Sequence, residues 1–159
     1  MAKILITYFS RSGNTASMAE SIRAGAATVG GADITCAPVD QIKADQLLGY
    51  DCLVIGSPVY YGGMAAEVKS FIDESVRLHG QLEGKLGGAF VSGIKNGGGN
   101  ETALLDILHA LLVHGLIIAG SSSGSHYGPL SLGQPDELTG AECQKYGQRL
   151  AALAVKLFG

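Results

Sequence analysis

The sequence predicts an α/β fold, a doubly wound parallel sheet of five strands with helices on both faces. Short, almost wholly apolar runs such as Lys3-Ile4-Leu5-Ile6-Thr7-Tyr8-Phe9 and Cys52-Leu53-Val54-Ile55-Gly56 alternate with segments of helical apolar spacing. The first run passes straight through Ser10-Arg11-Ser12-Gly13-Asn14-Thr15 into such a helical segment. Three loops rich in hydroxyls, glycine and tyrosine, at 10–15, 57–64 and 92–100, follow the first, third and fourth strands. Sheets of this class bind ligands beyond the carboxyl ends of their strands, at the topological switch point. The three loops are therefore expected at one edge of the fold.

Each element has its own signal. After the first strand, Met18, Ile22, Ala26 and Val29 mark a helix that Gly30-Gly31 stops, and Ala32 to Pro38 reads as the second strand. Residues 39–50 are too few for a crossover helix, although Ala44 to Leu48 can make a turn or two. Cys52 to Gly56 is the third strand and Ser57 to Met64 a loop. From Ala65, the spacing of Val68, Phe71, Ile72 and Val76 gives an amphipathic helix. A fourth strand covers Leu86 to Val91, followed by a glycine-rich loop from Ser92 to Asn100. The helix from Glu101 to His114 carries Leu104, Leu105, Ile107, Leu108, Leu111, Leu112 and Val113, which leaves little polar face. It is expected to be buried on more than one side, including at a subunit interface. Leu116 to Ala119 forms the fifth strand, and a polar loop with Ser121 to Pro129 follows. The last helix, Thr139 to Phe158, aligns Tyr146, Leu150, Leu153 and Leu157 on one stripe.

Composition narrows the classes. The 159 residues suit one domain, 1–159, with a sizeable core. Only 16% of residues are charged, yet no apolar run reaches membrane-span length, and the first residues enter the strand without a signal pattern. Cys36, Cys52 and Cys143 lack metal-type spacing, which points to reduced thiols and a cytoplasmic chain. Net charge is 11 − 14 = −3 with no basic run, so nucleic acid is not an expected partner.

The hexapeptide Ser10-Arg11-Ser12-Gly13-Asn14-Thr15 sits where a strand turns into a helix. Free amides and the positive end of the helix dipole make that turn an anion site, and its hydroxyls add donors. It has neither the Gly-Lys-Ser/Thr ending of a P-loop nor a G-x-G-x-x-G pattern. It resembles the phosphate loop of the flavodoxins, written T/S-x-T/S-G-x-T. The second loop offers Tyr60 and Tyr61 as flat apolar surfaces, with Gly62-Gly63 allowing close backbone approach. The third, Ser92-Gly93-Ile94-Lys95-Asn96-Gly97-Gly98-Gly99-Asn100, is rich in free amides. A phosphate at one end and a flat ring between two loops describe flavin mononucleotide, FMN.

The whole chain is similar to flavodoxin-like NAD(P)H:quinone reductases of the WrbA type. The likeness rests on Gly56-Ser57-Pro58-Val59-Tyr60-Tyr61-Gly62 and on Gly97-Gly98-Gly99-Asn100-Glu101-Thr102 through His114-Gly115. Tyr146-Gly147 and Ala154-Val155-Lys156-Leu157 extend it to the last helix. It implies strand order 2-1-3-4-5 and FMN held by Ser10 to Thr15, by Pro58, Val59, Tyr60, Tyr61 and Gly62, and by Ser92, Gly93, Ile94, Lys95, Gly97 and Gly98. It further implies NAD(P)H as co-substrate, a quinone-like acceptor, and a homodimer or homotetramer. His114 is then expected near flavin and quinone. Tyr61, His79, His126 and Tyr127 are candidate substrate contacts, with His114 or His126 as proton source. His109, within an apolar helix, reads as structural. The chain departs from that type in lacking a long insert between the second and third strands and much of the segment after the fifth. It also has no tryptophan. The competing reading is a flavodoxin electron shuttle, which is usually strongly acidic; a net charge of −3 speaks against it.

Overall fold

Successive residues of a strand point to opposite faces of its sheet, and that alternation sorts the apolar residues of this chain into two cores. The computed structural model describes residues 1–159. In chain order it contains β1 (Ala2–Tyr8), α1 (Asn14–Ala26), β2 (Ala32–Pro38), β3 (Cys52–Tyr60), β4 (Gly63–Met64) and α2 (Ala66–Glu74). There follow β5 (Leu86–Gly93), α3 (Asn100–Val113), β6 (Ile117–Ile118), β7 (Leu130–Leu132) and α4 (Glu137–Phe158). The sheet order is β2-β1-β3-β5-β6, all parallel, with β4 antiparallel on β3 and β7 parallel on β5.

Ile4 and Ile6 of β1, Val54 of β3 and Phe90 of β5 face α1 and α4, where they meet Met18, Ile22, Tyr146 and Leu150. Leu5, Leu53, Ile55 and Val91 face the other way, toward Val68 and Phe71 of α2 and Leu104, Ile107 and Leu111 of α3. Sheet strands covered on both faces have no polar side, which is why they read as continuous apolar runs. On the first face the two helices touch backbone to backbone. A Cβ on Gly25 would lie 1.9 Å from the Gln144 carbonyl oxygen, and one on Gly147 would lie 2.0 Å from that of Ile22. Only glycine fits at either place.

The structure revises four boundaries. β3 does not end at Gly56 but runs to Tyr60, and β5 runs to Gly93. Pro58 is tolerated because Gly56, two residues earlier, turns its carbonyl to Phe9 of the β1 side, and β1 pairing ends at Tyr8↔Gly56. The missing proline N–H thus faces no strand. The fifth strand comes in two pieces: Ile117 pairs with Leu86 at one end of β5, and Leu132 pairs with Gly93 at the other. Residues 120–126, Gly-Ser-Ser-Ser-Gly-Ser-His, have no apolar side chain to bury on either face, so the chain leaves the sheet and rejoins it at Leu130. α2 ends at Glu74, and Ser75–Leu78 continues as a 3₁₀ turn. As expected, the 39–50 connection is short turns only, at Val39–Gln41 and Ala44–Gly49.

Within the chain α3 is buried on one side, not all round. Leu104, Ile107, Leu108 and Leu111 face the core, while Leu112 and Val113 are 54% and 71% exposed. All three cysteines are free; Cys52 and Cys143 are buried and Cys36 is half-buried. Burial pushes each thiol up to about 12, far from thiolate chemistry. No helix is long and apolar enough to cross a membrane.

Candidate functional site

Buried polar side chains locate the unusual edge of this fold. Seven polar residues are buried, and six of them lie at the carboxyl end of the sheet. Thr7, Ser57, Ser92 and Ser131 stand near the ends of β1, β3, β5 and β7, and Thr15 and Asn100 begin α1 and α3. Buried hydroxyls cost stability unless they are bonded. Most here are: Thr15 and Ser92 share a hydrogen bond of 2.8 Å between their hydroxyls, and the Ser57 Oγ donates to the Pro58 carbonyl while accepting from the Ala65 amide. Thr7 Oγ1 and Asn100 Oδ1 have no partner.

The first loop has the shape and charge that an anion cradle requires. Gly13 caps α1 at φ +95°, a left-handed conformation that suits glycine, with open space on its Cβ side. The first turn contains no acidic residue. Asn14 and Thr15 have no intrahelical acceptor for their amides, whereas the Ala16 amide is already taken by Ser10 Oγ at 3.2 Å. Ser12 and Arg11 are exposed at the rim. Thr15 is 2% exposed and tied to Ser92, so it joins the floors of the first and third loops. The Arg11 guanidinium lies 5.3 Å from the centroid of the Tyr60 ring, a cation–π contact that links first loop to second. Beside this loop opens a cleft of 480 Å³ against Phe9, Ser10, Arg11 and Asp40.

The second loop is a tight hairpin. Tyr60 pairs with Gly63 across a two-residue turn in which Tyr61 has φ +48° and Gly62 φ +79°. Two positive φ values are what a type I′ hairpin turn needs, and a tyrosine at the first of them is strained. The Tyr61 ring at the tip of this turn stands wholly in solvent, at 111% exposure. The third loop stands alongside, because Pro58 and Ser92 are register partners. It presents Ile94 at 91% exposure. Gly99, at φ +96°, closes it against the hairpin: a Cβ there would lie 2.4 Å from the Cα of Gly62. Asn100 Nδ2 donates to the Lys95 carbonyl at 3.0 Å. The edge therefore sets the first loop beside two adjoining loops whose exposed apolar side chains, Tyr61 and Ile94, offer the walls of a candidate slot. These groups fit a phosphorylated, flat aromatic ligand such as FMN.

The expected histidines are not brought to this edge. α3 starts at the third loop and runs its whole length away from it, so His114 lies level with Leu86, where β5 begins. There its Nε2 is 2.7 Å from Ser75 Oγ, and its ring centroid is 6.3 Å from that of His79. Since the Ser75 hydroxyl donates to the Ile72 carbonyl, His114 Nε2 carries the proton and Nδ1 is left buried without a partner. Burial, with His79 nearby, lowers its pKa. His79, expected as a rim contact, is thus at the opposite end of the sheet. His126 and Tyr127 lie in the excursion between β6 and β7, where His126 Nδ1 bonds the Ser121 carbonyl at 2.7 Å. That excursion flanks β5 at Ala89 on the outer edge of the sheet, since a Cβ on Gly128 would lie 2.1 Å from the Ala89 carbonyl. His109 is exposed on α3. A groove of 570 Å³ also lies away from the loops, between Ser121–Ser125 and α4. Its Glu142 and Arg149 are already engaged by the Ser125 amide and the Ala119 and Gly120 carbonyls.

Sequence reasoning missed Asp106, whose Oδ2 accepts the Met64 amide of the hairpin at 3.1 Å. The signal was there: it is the single acid between Glu101 and Asp136, set among leucines and isoleucine.

A family profile described as the flavodoxin domain matches residues 5–102, more than half of the chain. A protein of Aquifex aeolicus called flavodoxin is 35% identical over 95% of this chain and 86% of its own length. One of Archaeoglobus fulgidus called NAD(P)H dehydrogenase (quinone) is 32% identical over 99% of this chain and all of its own. That alignment runs over 191 positions against 159 residues here, so the relative carries segments this chain lacks. Among solved structures, a WrbA-like flavodoxin from Agrobacterium tumefaciens superposes with a TM-score of 0.83 at 22% identity, covering 98% of this chain and 99% of that one. At that identity the likeness speaks for the fold. With profile, relatives and sheet order in agreement, this chain belongs to the flavodoxin family.

Proposed function

We propose that the protein is an FMN-dependent oxidoreductase that takes hydride from NAD(P)H and reduces a quinone or similar acceptor by two electrons. The observation that carries this reading is the gathering of six buried polar residues at one sheet edge, where the first loop, the Tyr61 hairpin and the Ile94 loop adjoin. A single cradle favours FMN over FAD. When bound, FMN supplies the redox chemistry, and the chain binds and orients it. Ser10, Arg11, Ser12, Gly13, Asn14 and Thr15 form the phosphate end, Thr15 by fixing the loop. Pro58 to Gly62 and Ser92 to Gly98 flank the ring, with Lys95 as the cation of the third loop. Tyr61 shields a ring face and meets the substrate. His114 and His79 lie at the opposite edge of the sheet, so water is the proton source in this reading.

A second reading, an electron shuttle, is favoured by the 35% identical flavodoxin. The visible spectrum of the purified protein tests both, followed by anaerobic NADH or NADPH. Bleaching of flavin absorbance within seconds supports the enzyme. A bound flavin indifferent to both nicotinamides supports the shuttle, and a protein that takes up no flavin refutes both. We further infer a homodimer or homotetramer, supported by Val76, Leu112 and Val113 at 71%, 54% and 71% exposure. Light scattering that gave the 16.3 kDa of one chain would refute it. The free thiols support a cytoplasmic location.

A further inference from the structure

Both walls of the slot are fastened to one helix. On the third-loop side Asn100, the first residue of α3, bonds the Lys95 carbonyl. On the hairpin side the Met64 amide donates to Asp106 Oδ2, less than two turns further along the same helix. β4 is two residues long, and one side of it pairs with Val59 and Tyr60. The outward Met64 amide faces no strand, and the Asp106 carboxylate takes the place a strand would fill. Bonds of an amide to a carboxylate are stronger than neutral ones. Asp106 takes part in none of the salt bridges of the chain. The hairpin it holds needs an anchor, because two pairs make a marginal hairpin and Tyr61 sits in left-handed backbone.

We propose that Asp106 is a positioning residue for the slot. Its carboxylate fixes β4, and through it the Tyr61–Gly62 turn, at a set spacing from the 94–99 loop carried by the same helix. The inference rests on the reading that a flavin ring fills the slot. Asp106 itself touches no ligand. Its loss should therefore loosen the grip on the ring while leaving the phosphate cradle, on α1, untouched.

The test compares Asp106→Ala and Asp106→Asn in the full chain. FMN affinity is read by quenching of flavin fluorescence. Affinity for inorganic phosphate is read by thermal protection of the flavin-free protein, and the Met64 amide by hydrogen exchange without ligand. Asp106→Ala is expected to weaken FMN about tenfold, the equivalent of one charge-assisted hydrogen bond, and to speed Met64 exchange. Phosphate affinity should stay unchanged. Asp106→Asn still offers an oxygen to the amide and should restore most of the FMN affinity. The proposal is overturned if Asp106→Ala binds FMN like the wild type, if FMN and phosphate weaken together, or if asparagine rescues nothing. Failure of the wild type to take up FMN refutes the flavin reading instead, and Met64 exchange then decides the anchor alone. Should Asp106→Ala not fold, wild-type exchange suffices: a Met64 amide as fast as open backbone overturns the anchor, and a protected one supports it.

Discussion

The same parallel strands end in two different surfaces. At their carboxyl ends stand Thr7, Ser57, Ser92 and Ser131, the first turns of α1 and α3, and a strained hairpin. At their amino ends only Ser75 is both polar and buried, beside His114, and the neighbouring Val76, Leu112 and Val113 lie open. The difference is directional. In a parallel sheet every helix that follows a strand begins at the carboxyl edge, so free N–H groups accumulate there, and connections at the other edge only have to return. The carboxyl edge offers unbonded backbone donors, the chemistry a polar ligand needs. The amino edge gathers carbonyl acceptors instead, such as those of Leu48 and Tyr50 taken by the Lys85 ammonium, and it has no surplus of N–H donors.

Substitutions can break or sharpen that contrast. The largest effect is expected from Ser12→Glu, which sets a carboxylate against the phosphate. Like charges at about 4 Å and an effective dielectric near 20 repel by about 4 kcal/mol, close to a thousandfold in affinity. Fluorescence titration with FMN measures it, and undiminished binding would remove the first loop from the site.

Gly99→Ala comes next. Its Cβ would press on the Cα of Gly62 at 2.4 Å, from a backbone at φ +96°. Strain of about 1–3 kcal/mol should lower the melting temperature by roughly 5 °C and weaken FMN as the hairpin is pushed outward. A calorimetric scan with and without FMN reads both, and an unchanged melting temperature would deny the close approach.

At the opposite edge, His114→Gln should act on stability alone. The folded pKa of His114 lies below the ordinary 6.5, with burial as the main cause and His79 as the second. Above 6.5 the ring is neutral in both folded and unfolded chains and contributes no pH dependence. As pH falls below 6.5 the unfolded chain takes up the proton first, so the folded state loses stability until the folded pKa is passed. Urea titrations at several pH values should show a flatter acid side for His114→Gln, with FMN affinity at neutral pH unchanged. Reduced affinity would instead tie the two edges together.

The smallest effect concerns Lys95→Met, which removes the cation of the third loop. With the negative charge of reduced flavin less stabilised, the midpoint should fall by about 30 mV, a tenfold change for a two-electron couple. Spectroelectrochemical titration tests this, and coincident curves would leave Lys95 a solvent-facing residue.

Local chemistry was enough for the alternation of strands and helices, for the apolar faces and for the character of the first loop, whereas the strand order came only through the family resemblance. Runs such as Ile4-Leu5-Ile6 and the Ser12-Gly13-Asn14 turn carry their reasons within a few residues: burial on two faces, and a helix start with unbonded amides. The end of β3 could not be read in the same way. Ser57-Pro58 looks like a loop until the register shows that β1 has already stopped where the proline needs no partner. Nor could sequence place His114, because a helix long enough to span the sheet carries its last residue to the opposite edge. The split fifth strand and the grip of Asp106 on Met64 likewise depend on what lies opposite in space. Periodicity and turn chemistry are properties of neighbours in the chain, and they settled what each segment is. Pairing, register and the end of the fold at which a side chain emerges are relations between distant segments, and only the packed structure decided those.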